Sequence, residues 1–236
     1  MKYSVLVPAH NEEGYIGNCL QSIKSAADNV TDEVEIIVAL NRCNDQTADI
    51  AAGYQAVIVN EDRKNLARIR NAAARAATGD VIVTIDADSQ MSRNMFVEIG
   101  AKLSAAKYIG GGVMIRPERW SLGIFMSLLT VLPFLLIHRL SGGLFWCHRK
   151  DFEAVGGFNE TLVSAEDLDF AKRLKAHGKK TAKRFKMITR AHIITSCRKF
   201  DTLGDWYLFK NPVLVWKIMK GDNQKAADLF YYHPDR

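Results

Sequence analysis

Little in this sequence points to a fibrous, disordered or cross-linked chain. Proline is scarce, at 5 of 236 residues, and the 16 glycines follow no repeat, which excludes collagen-like and low-complexity folds. The four cysteines, Cys19, Cys43, Cys147 and Cys197, are widely spaced with no C-x-x-C pair. Neither a zinc site nor a disulfide framework is therefore expected, and the thiols read as idle groups in a reducing compartment. After Met1-Lys2 the apolar run Val5–Pro8 is too short for a secretory leader. The expected station is the cytoplasm, with the inner face of the membrane as its alternative. No G-x-G-x-x-G and no G-x-x-x-x-G-K-[ST] occurs, and the glycine pairs Gly142-Gly143 and Gly156-Gly157 match neither, so dinucleotide and P-loop sites lack support. Acidic residues are in modest deficit: 32 Lys+Arg against 26 Asp+Glu leaves +6. That surplus suits anionic ligands or an acidic membrane face. It is too scattered for a nucleic-acid surface, and no nucleic-acid partner is expected.

What is present is the composition of an ordinary globular protein, 48% apolar and 25% charged. The length can bury a full core unaided. The first hundred or so residues alternate short apolar runs with amphipathic stretches. Tyr3–Val7, Glu35–Ala39, Ala56–Val59 and Asp80–Ile85 read as strands. Between them, the stripe Ile16, Leu20, Ile23, the segment Thr47–Ala52 and the Ala- and Arg-rich Leu66–Ala77 read as helices, the last closed by Gly79. Repeated β-α units of this size predict an α/β fold with a Rossmann-like, mostly parallel sheet flanked by helices. Beyond about residue 105 the rhythm turns irregular. Tyr108–Ile115, Leu144–Cys147 and His192–Thr195 are strand-like, Ala165–His177 is helical, and Pro212–Met219 is apolar. A single domain over 1–236 is expected, its halves meeting near residue 104.

Three groups could carry chemistry. Asp86-Ala87-Asp88 follows the apolar run Val81–Ile85, and ligands gather beyond the carboxyl ends of parallel strands. As extended chain the triplet sets both carboxylates on one side, a costly juxtaposition without a cation between them. A divalent ion shared with a diphosphate meets that need; an acidic loop before the next helix is the plainer alternative. Glu166-Asp167 follows Ser164 at nearly capping-box spacing. Asp167 is then either a helix cap or a general base kept ionised by the helix N-terminus. Arg63, Lys64, Arg68 and Arg70, and the pair Arg198-Lys199, are either solvated faces or anion contacts. His192 is a candidate third metal ligand beside Asp86 and Asp88, or a packed histidine.

Taken in order, Val5-Leu6-Val7-Pro8-Ala9-His10-Asn11-Glu12-Glu13, Asn44-Asp45-Gln46-Thr47, Arg70-Asn71, Gly79-Asp80 through Asp86-Ala87-Asp88, Gly156-Gly157-Phe158 and Glu166-Asp167 resemble the family 2 glycosyltransferases of GT-A fold, over roughly residues 3–175. The resemblance implies metal-dependent, inverting transfer of a sugar from a nucleotide-diphosphate donor to an acceptor hydroxyl, with Mn²⁺ or Mg²⁺ as cofactor. By it, 1–104 is the nucleotide-sugar half and 105–236 the acceptor half. Pro8, Ala9, His10 and Glu12 would line the nucleoside pocket. Asp86, Ala87 and Asp88 would face the ribose-diphosphate, with Asp86 and Asp88 on the cation. Arg70, with Arg68 on the same helix, would support the diphosphate, Arg198 and Lys199 would close over it, and Asp167 matches the family's catalytic base.

One departure concerns the base. Where the family carries aspartates after the second strand, Ala39–Asp45 offers Asn41 instead. An amide donates as well as accepts, which leaves guanosine open, while the resemblance favours uridine. Two other functions fit less well. A sugar nucleotidyltransferase would find its triphosphate repelled by the acidic Asn11-Glu12-Glu13. A non-catalytic sugar-nucleotide-binding or scaffold protein would have no need of Asp86, Asp88 and Asp167 together. The acceptor, whether a sugar, a lipid-linked or another hydroxyl compound, falls to the second half, near Trp146. There Ser121–Ile137 runs 17 residues without a charge, at the lower limit for a membrane span. It reads as a buried or acceptor-covering helix, with peripheral membrane contact as the alternative.

Overall fold

The structure, a computed structural model, describes residues 1–138 and 143–220, with the helical backbone alone for 134–138. Gly142 and the stretch 221–236 of the expected domain lie outside the described residues. The first half runs β1 (Lys2–Ala9), α1 (Ile16–Ala27), β2 (Glu33–Leu40), α2 (Thr47–Gly53), β3 (Val57–Asn60), α3 (Leu66–Ala76) and β4 (Val81–Ile85). There follow β5 (Ser89–Met91), α4 (Met95–Ser104), β6 (Tyr108–Pro117), α5 (Leu122–His138), β7 (Leu144–His148) and α6 (Arg149–Ala154). The chain continues through α7 (Glu166–Lys180), β8 (Arg184–Thr195), α8 (Arg198–Leu203), α9 (Tyr207–Lys210) and α10 (Pro212–Lys220).

Eight strands form one mixed sheet in the order β3-β2-β1-β4-β7-β6-β8-β5. The first four are mutually parallel, as the β-α rhythm predicts. β7 then enters antiparallel between β4 and β6. The central strands are apolar on both faces because each face has its own core. Tyr3, Val5 and Val7, with Val81, Val83 and Ile85, pack under the α1 stripe Ile16, Cys19, Leu20 and Ile23. Leu6 and Ile82 face the opposite core, with Ala67, Ile69 and Ala73 of α3. Period-two alternation therefore sends successive residues into different apolar layers, which is why these strands read as unbroken hydrophobic runs.

Two local expectations change, and a third holds. α3 ends at Ala76 with an extended Ala77 at its C-cap, so Gly79 does not close it. Gly79 instead meets β1 edge-on, where an added Cβ would lie 2.6 Å from Ser4 Oγ and 2.7 Å from the Lys2 carbonyl. α7 has no capping box: Ala165, at φ 53°, precedes the helix. Ser164 Oγ donates instead to the Ile218 carbonyl of α10 at 2.8 Å. Among the described residues no helix is long and apolar enough to cross a membrane; Ser121–Ile137 becomes the 17-residue α5.

Gly111 shows how tightly the second half is drawn together. A Cβ there would lie 1.7 Å from the Lys186 carbonyl of the neighbouring β8. Gly111→Ala should thus cost stability at or beyond the top of the usual overpacking range of about 1–3 kcal/mol, read as a lower urea midpoint. A midpoint unchanged from the parent would show that β6 and β8 are not this close.

Candidate active site

The site begins where β4 stops. Val81–Ile85 is fully buried, and the carboxyl end of the strand delivers Asp86. Asp86-Ala87-Asp88 is not the extended segment its spacing predicts. The Ser89 N–H donates to the Asp86 carbonyl at 3.0 Å, closing a turn that buries Ala87. Each acid then has its own arginine: Arg70 Nη2 lies 2.6 Å from Asp86 and Arg198 Nη2 3.0 Å from Asp88. Two arginines thus offset the like charges at the strand tip.

Arg70 organises the first cluster. Its side chain is 5% exposed, and its other nitrogen, Nη1, reaches the equally buried Glu166 at 2.5 Å. The guanidinium sits over the Phe158 ring, 5.4 Å from its centroid, a cation–π contact in a dry setting. Burial works against the charge, but Asp86, Glu166 and Asp167 together hold the guanidinium firmly protonated. Burial pushes the Glu166 carboxyl up, to about 7, against the downward pull of Arg70. Burial raises the Asp167 carboxyl as well, with Arg70 again opposing. Three acids around one guanidinium leave surplus negative charge, and a carboxylate in that position is a better proton acceptor than a solvated one.

Arg198 organises the second cluster. It forks onto Glu12, with Nη1–Oε2 at 2.5 Å and Nη2–Oε1 at 2.7 Å, and lies 4.8 Å from the Tyr15 ring centroid. One arginine from the C-terminal third thereby ties the β1–α1 loop to the β4 tip. Burial opposes its charge and the Glu12 and Asp88 carboxylates restore it. Ser196 Oγ donates to Asp88 Oδ2 at 3.3 Å from the same segment.

Pro8, Ala9, His10, Glu12, Asn41, Asp86, Ala87, Asp88 and Arg198 all line one cavity of about 120 Å³. Asn41 is wholly buried. Its Nδ2 donates to the carbonyls of Glu61 and Arg63, and Arg42 donates to its Oδ1. The amide expected to read a base is therefore engaged in bracing the loop after β3, while the Asn41 carbonyl meets His10 Nδ1 at 2.6 Å.

Asp167 itself is not among the residues that line this cavity, and two further expected residues are not brought in. Arg68 pairs with Glu160 at 2.9 Å and is about one third exposed, because residues two apart on a helix do not share a face. His192 does not join Asp86 and Asp88. It lies on β8 three residues before Thr195, the partner of Ser89, and about 3.3 Å of rise per residue puts it roughly 10 Å along the strand. Its backbone N–H donates to Ser92 Oγ at 3.1 Å; burial and the nearby Arg116 lower its pKa.

Glu166, which the sequence offers only as the neighbour of Asp167, has a place of its own. It lines the same cavity, with Leu66, Ile69, Val163 and Lys199. A signal existed: Glu166, Phe170, Leu174 and Gly178 recur at i+4 along the buried side of α7. An acid heading an apolar stripe demands a buried cation, and Arg70 supplies it.

Among the described residues no three His, Cys, Asp or Glu side chains form a metal-binding group. The two carboxylates at the β4 tip, both open to the cavity, suit a cation that takes its remaining ligands from a substrate diphosphate and water. They do not suit one caged by protein alone.

Comparison with known proteins agrees with this architecture. Glycosyl transferase family 2 matches residues 4–156, and a second family, described as N-terminal domain of galactosyltransferase, matches 134–198. The low-salt glycan biosynthesis hexosyltransferase Agl6 of Haloferax volcanii is 34% identical over 85 residues, 36% of this chain and 20% of its own length. The crystal structure of S. aureus TarS 1-349 in complex with UDP-GlcNAc aligns with a TM-score of 0.65 at 20% identity, over 98% of this chain and 70% of that one. Glucosyl-3-phosphoglycerate synthase from Mycobacterium tuberculosis, in complex with Mn²⁺, UDP and phosphoglyceric acid, aligns with a TM-score of 0.63 at 18% identity, over 94% and 79%. At such identities these structures establish the fold. The matched stretches span a quarter or less of the curated relatives' lengths. With the acid turn after β4 and nearly all of the parallel half inside the matched region 4–156, the chain belongs to glycosyl transferase family 2.

Proposed function

We propose that this chain is an inverting glycosyltransferase that moves a sugar from a uridine-diphosphate donor to an acceptor hydroxyl, with Asp167 as general base. The observation that carries this is the bridge through Arg70, which joins Asp86 to Glu166, the chain neighbour of Asp167. The acceptor oxygen attacks the anomeric carbon as the bond from that carbon to the diphosphate oxygen breaks. The electron pair leaves with UDP, and the acceptor proton passes to Asp167. No covalent sugar–enzyme intermediate is needed. A divalent cation, Mn²⁺ or Mg²⁺, held by Asp86 and Asp88 would supply neutralisation of the charge gathering on the leaving group. Uridine is supported by the UDP named in the complexes of both structural neighbours.

Thermal unfolding of the protein with UDP, GDP and their sugar derivatives, with and without Mn²⁺, tests the donor side. Ligand at a hundred times its Kd stabilises by about 2.7 kcal/mol. For a chain of this size that is a rise of roughly 5–10 °C. UDP with Mn²⁺ should give it and GDP should give much less. The same rise with GDP would move the base to guanosine, and no rise with any nucleotide would remove the donor reading.

A further inference from the structure

A second cavity opens behind the acids. It shares Asp86, Asp88 and Lys199 with the first, and its volume is about 240 Å³. A water takes about 30 Å³ of the liquid, so there is room for a chain of several carbons. Its lining is graded. Thr195, Ser196 and Lys199 stand with the acids, while Leu128, Phe200, Leu203 and Leu208, with the single phenol of Tyr207, form the rest.

The apolar walls are held apart by polar fastenings at their edges. Arg119 bridges Asp201 and Asp205. Ser121 Oγ donates to Asp205 Oδ2 at 2.5 Å, and Ser127 Oγ to the Asp205 carbonyl at 2.7 Å. These contacts pin α8 and the turn before α9 onto α5 without closing the space between them. Leu128 is 37% exposed, so it belongs both to the cavity and to the outer face of α5. There Phe125, Leu129 and Leu132 are exposed in turn. An apolar path thus runs from the acids to the surface along a helix without Asp, Glu, Lys or Arg. A polyol seated along that path would give up water for walls whose leucines and phenylalanine offer its hydroxyls no partner, Tyr207 serving at most one of them.

We propose that the acceptor is a single-chain amphiphile: a hydroxyl-bearing head beside Asp86, Asp88 and Lys199, and a hydrocarbon tail along Leu128, Phe200 and Leu203. This deepens the transferase reading and rests on it for the word acceptor; the binding itself is measured without nucleotide. The probes are n-alkyl β-glucosides from methyl to octyl, each below its micelle-forming concentration, titrated calorimetrically into the whole protein. Each methylene buried should tighten binding about fourfold, so octyl glucoside should bind roughly two hundredfold more tightly than butyl glucoside. Leu128→Asp and Phe200→Ser should each weaken octyl glucoside at least tenfold and leave methyl glucoside and UDP unchanged, retained UDP binding showing that the variants fold. A flat chain-length series overturns the proposal, and so does a steep series that neither substitution alters, since the tail then rides elsewhere. A steep, substitution-sensitive series in a protein that binds no nucleotide sustains the amphiphile site and removes only the donor reading.

Discussion

Asp167→Asn should lower the rate of sugar transfer by about 10²–10⁴-fold, the usual contribution of a positioned general base, and leave UDP affinity within about twofold. Asn keeps the shape and the local contact, because Asp167 Oδ1 accepts from the Leu168 N–H at 2.7 Å and an amide oxygen can do the same. What it cannot do is take a proton. Stability separates this role from a structural one. Burial raises the Asp167 carboxyl above its unfolded value. Its ionised form therefore costs folding free energy, and the wild-type protein loses stability from this group as pH rises through the raised value. Asn has no such loss. The variant should melt at or above the wild type on the alkaline side of that value, its advantage fading as pH falls below the ordinary carboxylate range. Transfer by the wild type should rise with pH over the same interval. A variant that transfers at the parent rate removes Asp167 as the base. One that melts well below the parent at pH 8 makes its role structural.

Much of this was legible in the chain itself, and what was not has a common cause. The parallel half could be read because each strand from Tyr3, Ile36 and Val81 fills two cores in alternation, which leaves unbroken apolar runs between amphipathic helices. The acids at the end of β4 could be read because position after such a run is local information. Strand partners are not local. Leu144–His148 has a strand's composition, yet nothing in it says that it pairs antiparallel with Val81–Ile85, more than fifty residues earlier. The ties that build the site span still greater separations, Glu12 to Arg198 and Arg70 to Glu166. Local rules also lost to tertiary contacts. Ser164 had a cap's spacing and found the α10 carbonyl instead, and Asp86-Ala87-Asp88 turned so that each acid could meet a different arginine. Arg68 and Arg70 look alike in the run of basic residues. Helical geometry alone sends one to Glu160 and the other into the interior.

Arg70→Met should be the most destabilising change at the site. Methionine fills much of the same volume and retains contact with Phe158, so the loss is chiefly one of charge. Glu166, 5% exposed, would lose its buried partner, and Asp86 its closest cation. Breaking a buried pair from one side costs about 3–5 kcal/mol, because the remaining charge stays desolvated. The sign of its pH dependence follows from Glu166. Burial already holds its carboxyl up, to about 7, despite Arg70, and without the guanidinium it moves higher still. A carboxyl raised in the folded state stabilises most when protonated, below its unfolded pKa of about 4.3, and that contribution disappears as pH rises through the folded value. The deficit of Arg70→Met against the parent should therefore be small near pH 5 and largest near pH 8, read from urea midpoints. Pairing the change with Glu166→Gln removes the stranded charge and should recover a large part of the loss at pH 8. Arg70→Lys should recover little, since an ammonium is a point charge and cannot span two carboxylates as the guanidinium fork does. An equal deficit at pH 5 and pH 8, with no recovery in the double variant, would mean that packing against Phe158 rather than charge is what Arg70 contributes.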